Sequence, residues 1–227
     1  MADSFYKSLD IGKDVVSTRT LLHEAIPLTG TIVSGTYGTN NIKNYAHGMF
    51  QSVYDYPYLS SSANHIFDLT VGVSANSSLY GSVTAQKDKK RNIYNQMAQV
   101  LVGYDYTGSV LRFDEDGDIL AGGNKLDNVI FLNMSRLLCK DEIKKGTFQL
   151  DLGVAPTYGE GGSVFTERIQ ITDFSGSAGY LVNSPVGDYG ILYATASAGT
   201  TVLAANQYYP VGLLYYQAGV AVLSGSI

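Results

Sequence analysis

The amino-acid sequence predicts a mainly β protein, an antiparallel β-sandwich or a jelly-roll-like domain with one amphipathic helix. The chain of 227 residues contains 18 Tyr and 25 Gly but only 5 Pro and no Trp. This composition favours strands and turns over long helices. Short runs in which apolar and polar residues alternate recur along the chain, as they do in half-buried strands. One segment has the spacing of an amphipathic helix.

The first 20 residues are predicted to form an N-terminal arm, and residues 21–227 a single β-rich domain. The arm is polar with scattered apolar positions, which is typical of a segment that becomes ordered on a partner. Leu21–Val33 is predicted to form a pair of strands around Pro27, at an edge or a bend, because proline cannot donate to a strand ladder. The arm lacks the apolar core of a signal peptide, so the chain is expected to be made in the cytoplasm and to leave it only in a particle.

Two elements follow in the first half. Asn64–Val73 alternates and is predicted to be a strand. Residues 84–102 are predicted to form the amphipathic helix, which Gly103 ends. The apolar side chains of this helix recur three or four residues apart, at Ile93, Tyr94, Met97, Val100 and Leu101.

The acidic segment Asp114–Asp118 is predicted to be a hairpin turn between strands at Ser109–Phe113 and Asp118–Leu120. A cation site is the alternative. With Asp114 as the first position, the calcium loop of an EF-hand needs glycine at position 6 and glutamate at position 12. Here glycine stands at position 4 and Lys125 at position 12, so the hairpin turn is favoured.

The second half continues as strands. Val129–Met134 is strongly apolar, and Thr147–Gly153 and Phe165–Phe174 alternate. The segments Gly190–Tyr193 and Gly212–Tyr215 have nearly the same sequence, GILY and GLLY. Two such similar strands are expected to lie side by side in one sheet.

Val211–Leu223 is predicted to form a β-hairpin that organises the rest of the sheet. Its turn contains Gly219, because glycine readily adopts the positive φ of a tight turn. The two faces of its first strand carry Leu213 with Tyr215 and Leu214 with Tyr216. Both faces are apolar, so both must be covered, either by the chain itself in a monomer or by another subunit.

Cover by neighbouring copies is favoured because no charged residue follows Asp188. Tyrosine joins an apolar ring to a polar tip and is enriched in protein interfaces. The predicted interface residues are Tyr208, Tyr209, Leu214, Tyr216, Val220 and Val222.

No motif for catalysis or cofactor binding is present, and we predict a protein that is not an enzyme and has no cofactor or metal. Residues 175–179 lack the spacing of a nucleophile elbow, and no phosphate-binding glycine loop precedes a helix. The residues His23, His47 and His65 are far apart, and the single Cys139 excludes an internal disulfide. The net charge of −5 argues against direct nucleic-acid binding. The C-terminal region is too interrupted by polar residues and glycine for a membrane span.

Three stretches resemble virion proteins of tailed bacteriophages, especially those of marine and cyanobacterial phages. They are VIFLNMSRLLCKDEIKKGTFQLDLG (Val129–Gly153), NSPVGDYGILY (Asn183–Tyr193) and VGLLYYQAGVAVLSGSI (Val211–Ile227). The resemblance covers about the second half of the chain, and its motifs are structural rather than catalytic. It implies a component of the virion, in the tail, baseplate or neck region or as a capsid decoration protein.

Two functions are therefore carried forward. The first is a structural virion protein that forms a symmetric homo-oligomer and contacts other virion proteins. The alternative is a carbohydrate-binding module for a host-surface glycan, with tyrosine-rich loops at 45–58 and 157–180 stacking on sugars, or a capsid decoration protein. Exposed tyrosines at a tip favour the glycan reader, and tyrosines buried between chains favour the structural protein.

Overall fold

The structure is a computed structural model that describes residues 40–80, 85–118, 122–135, 141–153, 168–196 and 207–225. The predicted arm at residues 1–20, the strand pair at Leu21–Val33 and Cys139 lie outside the described residues.

Ten strands of the described chain form one antiparallel sheet in the order β1-β2-β3-β4-β10-β9-β8-β6-β5, with β7 paired to β8. Their bounds are Ile42–Asn44 (β1), Gln51–Tyr54 (β2), His65–Val73 (β3), Asn128–Met134 (β4), Gln149–Gly153 (β5), Arg168–Thr172 (β6), Leu181–Ser184 (β7), Gly187–Ala196 (β8), Tyr209–Tyr215 (β9) and Val220–Ser224 (β10). The prediction of a mainly β antiparallel fold is confirmed, and the architecture is consistent with a β-sandwich-like fold.

The predicted amphipathic helix is α1, Ala85–Leu101, and a second, short helix is α2, Gly176–Gly179. Gly103 ends α1 with φ at 95° and donates its N–H to the carbonyl of Ala98 at 2.9 Å. The helix packs on β3 at Gly72, where an added Cβ would lie 2.6 Å from the ring of Phe131 and 3.1 Å from Cβ of Tyr94. The missing side chain at this position therefore lets α1 approach the sheet closely.

The C-terminal hairpin is confirmed and lies in the middle of the sheet. Its strands β9 and β10 pair with each other, and Gly219 has φ at 68° in the turn, where its N–H donates to the carbonyl of Tyr215 at 2.9 Å. On the outer sides of the hairpin β9 pairs with β8 and β10 pairs with β4. The two similar segments are neighbours, as expected, with Ile191 opposite Leu213.

Both apolar faces of the hairpin are covered by the chain itself. Leu213 and Tyr215 belong to a core that α1 and residues of the 102–126 region complete. On the other face Leu214 and Tyr216 belong to a second core, which includes Ile143, Phe148, Ile169 and Ile171. The strands β9 and β10 are therefore central strands with one core on each side.

Ser109–Phe113 forms no regular strand, and residues 119–120 of the predicted second strand lie outside the described residues. Within the described residues this region forms only isolated bridges, Tyr104 with Val110 and Asp114 with Lys125. Beside the backbone bond from the N–H of Leu126 to the carbonyl of Phe113 (2.9 Å), the hydroxyl of Tyr94 accepts from the N–H of Phe113 (3.2 Å) and donates to the carbonyl of Leu126 (2.8 Å). The ring of Phe113 is buried edge-on against that of Tyr94, with centroids 5.4 Å apart.

Candidate interaction surface

Four of the six predicted interface residues lie inside the chain. The side chains of Leu214, Tyr216 and Val222 are fully buried and that of Val220 is 6% exposed. A side chain enclosed by its own chain cannot contact another subunit, so the prediction is wrong for these four. The apolar pattern of the hairpin indicated that both of its faces are covered. It did not indicate whether the same chain or another subunit covers them. Tyr208 and Tyr209 do lie on the surface, 54% and 41% exposed.

Tyr208 belongs to a group of rings in contact with each other, here called the aromatic surface: Phe174, Tyr193 and Tyr208. The ring centroid of Phe174 lies 5.0 Å from that of Tyr193 and 4.6 Å from that of Tyr208. Phe174 is 50% exposed in the connection between β6 and α2. Clustered aromatic rings on the rim of a sheet are typical of residues that anchor protein contacts.

The sequence predicted only part of the aromatic surface. Tyr208 and Tyr209 were predicted to be interface residues because tyrosine is enriched in protein interfaces. Phe174 and Tyr193 come from other segments, and the pairing of β8 with β9 brings Tyr193 opposite Pro210 and Ala194 opposite Tyr209. The aromatic neighbours of Tyr208 therefore depend on sheet register, which composition does not show.

Tyr216 is the centre of a buried polar cluster. Its hydroxyl donates to Oδ2 of Asp173 at 3.0 Å, and both residues are fully buried. The same carboxylate accepts the backbone N–H groups of Gly146 (2.7 Å, at Oδ2) and Phe148 (2.8 Å, at Oδ1). These bonds fasten three separate segments to each other, so the cluster organises structure rather than exposing a reactive group.

The environment of the cluster shifts the pKa values of its members. Burial raises the pKa of Asp173, and the N–H donors of Gly146 and Phe148 offset part of that shift. Burial and the nearby carboxyl of Asp173 raise the pKa of Tyr216 well above its usual range. Lys145 borders the cluster with Nζ 2.9 Å from a carboxylate oxygen of Asp188. Burial lowers the pKa of Lys145, but Asp188 and Glu142 outweigh burial and raise it overall.

One group of side chains superficially resembles a catalytic triad. The hydroxyl of Ser52 donates to Oδ1 of Asp68 at 2.5 Å, and Nε2 of His65 lies 2.9 Å from the same oxygen. In a nucleophilic triad the imidazole stands between the hydroxyl and the carboxylate, so that it can take the hydroxyl proton. Here the carboxylate stands in the middle, so the group does not activate Ser52 as a nucleophile.

A cleft of about 450 Å³ opens beside Tyr209, and its lining includes Glu115, Lys125, Asp127 and Val211. Two of its charged groups, those of Lys125 and Asp127, are engaged in ion pairs. Lys125 pairs with the buried carboxylate of Asp114, and Nη1 of Arg112 lies 2.9 and 3.2 Å from the two carboxylate oxygens of Asp127. Paired charges fix the wall of the cleft, and they do not form a general acid and base poised over a substrate.

Removal of divalent metal is expected to leave the melting temperature unchanged. Asp114, Asp116 and Asp118 lie close enough together to share a cation. However, the ammonium of Lys125 already neutralises the one buried carboxylate of this group, Asp114. Thermal unfolding of the full chain with EDTA, with added Ca²⁺ and with added Mg²⁺ tests this expectation. A rise of many degrees on adding either cation would instead establish a cation site, because a ligand that binds only the folded state stabilises it.

A second group of rings lies between β1 and β2, in which His47 and Phe50 are exposed and Tyr45 is half-buried. The rings of Tyr45 and His47 are nearly parallel, at 7° with centroids 5.3 Å apart, and Phe50 lies 4.7 Å from Tyr45. Two amides flank the rings, and Nε2 of Gln51 donates to Oδ1 of Asn44 at 2.5 Å. The part of the predicted 45–58 loop that carries these rings is therefore on the surface.

Among the described residues no helix is long and apolar enough to cross a membrane. The chain matches no protein-family model, no curated protein and no solved structure.

Proposed function

We propose that the chain is a non-enzymatic structural component of a tailed-phage particle, in the tail, baseplate or neck region. It is made in the host cytoplasm and acts in the virion by symmetric self-association and by contacts with other virion proteins. The observation that carries the contact role is the aromatic surface, in which the rings of Phe174 and Tyr208 stay exposed although the chain completes both of its cores without them. The resemblance of the second half to virion proteins supports the place of action.

The lack of enzymatic activity is supported by two features of the described residues. Ser52, Asp68 and His65 stand in the wrong order for nucleophilic catalysis. Lys125 and Asp127, which line the cleft beside Tyr209, are held in ion pairs. A screen of the full chain against glycans, peptides and phosphoesters tests this part, and turnover abolished by one substitution in the cleft would contradict it.

Self-association is expected to weaken when the aromatic surface is made polar. In the double variant Phe174→Ser/Tyr208→Ser the two most exposed rings of the surface are removed without opening either core. We expect at least a tenfold rise in the dissociation constant between copies, about 1.4 kcal/mol, since buried aromatic anchors contribute this much or more at interfaces. Sedimentation velocity of the full chain over a range of concentrations measures the change.

Tyr106→Ser is the matched control, because the side chain of Tyr106 is 100% exposed and outside the aromatic surface. It should associate like the wild type. If the wild type stays monomeric at its highest soluble concentration, self-association is wrong. If the control and the double variant weaken equally, the aromatic surface is not the contact.

Location in a particle requires a separate experiment. Tailed particles purified from cells that express the gene are labelled with a gold-conjugated antibody against the full chain and viewed by electron microscopy. Label at the tail, baseplate or neck is expected. Label spread over the head would favour a capsid decoration protein, and particles without label would overturn the virion role.

A host-surface glycan reader is the second candidate, favoured by the rings of Tyr45, His47 and Phe50 beside the amides of Asn44 and Gln51. Sugars stack their C–H faces on aromatic rings while their hydroxyls bond to amides. Glycan-array binding that is lost in Phe50→Ala but kept in Tyr106→Ser would establish this function. An array without binding would remove it.

A further inference from the structure

The two ends of the sheet are formed by β1 and β5. Within the described part of the chain neither strand has a partner on its outer side. Such an edge presents unpaired backbone N–H and C=O groups to any strand that can align with it. Which strand can pair with each edge depends on the side chains on the two faces of the edge strand.

The faces can be followed across the sheet by register. Lys43 is opposite Ser52, Ser52 is opposite Asp68, Asp68 is opposite Asn133, and Asn133 is opposite Val220. Residues opposite each other share a face, so Lys43 lies on the same face as Val220, which is the α1 side of the sheet. Ile42 is opposite Val53 and points to the other face. On β5, Leu150 and Leu152 pack against the core on that other face, and Asp151 between them points to the α1 side.

Lys43 and Asp151 are thus the central residues of the two edges and lie on the same face of the sheet. On the opposite face Ile42, which is 37% exposed, corresponds to Leu150 and Leu152. Every neighbouring pair along the path is antiparallel, so β1 and β5, at its two ends, run in the same direction. A second copy that continues the sheet without turning over therefore places its β1 parallel to β5 of the first.

We propose that β5 of one copy pairs in parallel with β1 of the next, with Asp151 beside Lys43 on one face and Leu150 beside Ile42 on the other. This edge contact rests on the proposed self-association and is separate from the contact at the aromatic surface. Opposite charges on neighbouring strands are favourable, and like charges are not. Pairing β5 with β5, or β1 with β1, in the fully overlapping antiparallel register places Asp151 against Asp151 or Lys43 against Lys43.

Because the two edges differ, this contact is heterologous. Each copy offers β5 at one side and β1 at the other, so copies add head to tail. Such contacts close into a ring when the rotation between copies permits, and otherwise extend into a filament. A two-fold dimer is not the product of this contact.

The test exchanges the two charges in the full chain. Lys43→Asp and Asp151→Lys each create a like-charge pair at the contact, and the double variant Lys43→Asp/Asp151→Lys restores an attractive pair. We expect each single variant to raise the dissociation constant between copies three- to tenfold at low salt, and the double variant to return close to the wild type. Lys144→Asp, an exposed position outside both edges, is the charge-matched control and should associate like the wild type.

Hydrogen–deuterium exchange supplies a readout independent of charge. The amides of β1 and β5 should exchange more slowly in the wild-type oligomer than in dilute monomer, because new strand pairing protects them. If the wild type associates but the single variants behave like Lys144→Asp and the edge amides keep their exchange rates, the edge contact is wrong while self-association stands. If the wild type does not associate at all, the proposed self-association fails as well.

Discussion

Replacement of Asp173 by Asn is expected to lower the free energy of unfolding by about 3 kcal/mol, since it leaves a buried donor unpaired. The carboxylate accepts from three donors, the N–H groups of Gly146 and Phe148 and the hydroxyl of Tyr216. An amide has only one acceptor oxygen. In either orientation its NH₂ group points at a backbone N–H, and both groups lose a partner in a site without water access. Urea unfolding followed by circular dichroism measures the loss.

Tyr216→Phe is the matched comparison, because it removes one donor and leaves the acceptor. Its expected cost is about 1 kcal/mol, the net value of one hydrogen bond. The test is whether Asp173→Asn lowers the free energy of unfolding by more than Tyr216→Phe does. If Asp173→Asn unfolds at the same urea concentration as the wild type, the carboxylate does not hold these segments together.

Gly190→Ala is expected to destabilise the chain by about 3 kcal/mol, as overpacking a closed core does. Gly190 lies in β8, and a Cβ there would overlap the hydroxyl of Tyr216 and lie 3.1 Å from its Cζ. Gly176 meets the same hydroxyl from α2, so the phenol is enclosed between two glycines. The strands cannot separate to admit a methyl group without breaking the pairing of β8 with β9.

Gly122→Ala is the control, since an added Cβ there meets nothing within 4 Å. It should change the free energy of unfolding by less than about 0.5 kcal/mol, as surface substitutions do. Tyr216→Phe in the Gly190→Ala background should cost less than Tyr216→Phe alone, because removing the hydroxyl also relieves its overlap with the added methyl group. Additive costs in this double-mutant cycle would show that the two residues do not meet.

The hairpin and the helix were predictable from local sequence. Alternation and the position of Gly219 are properties of adjacent residues, and the hairpin forms where they indicate. The periodic segment predicted at 84–102 forms a helix at Ala85–Leu101, one residue shorter at each end. Local signals identify elements well when one short segment contains both the pattern and its end.

The assignment of the hairpin faces to an interface failed for a non-local reason. The apolar character of Leu214 and Tyr216 shows only that they are covered. The cover comes from Ile143, Phe148 and strands β5 and β6, which lie far from the hairpin in sequence. The lack of charge in β9 and β10 fits two central strands with cores on both sides, and a subunit contact is not needed to explain it there.

The Asp173 cluster was missed for the same reason. Nothing in the segment Thr172-Asp173-Phe174 distinguishes Asp173 from an ordinary turn aspartate. Its donors are 25 to 43 residues away along the chain. The one signal in the sequence is the set of glycines at 146, 176 and 190, which lie around Tyr216 and Asp173 in the fold. Their role can be recognised only when the fold is known.

The pairing of β4 with β10 has a consequence for how the protein is made. It joins the first four strands to the last ones, with Asn133 opposite Val220. Contacts between residues so far apart in sequence slow folding, because a long loop must close before any bond forms. Until β10 has been synthesised, β4 is paired with β3 on one side only and its other edge is open. A nascent or truncated copy therefore exposes an apolar strand in the middle of the future sheet, where it can capture a strand of another copy. Productive assembly has to wait until β9 and β10 have emerged and closed that gap.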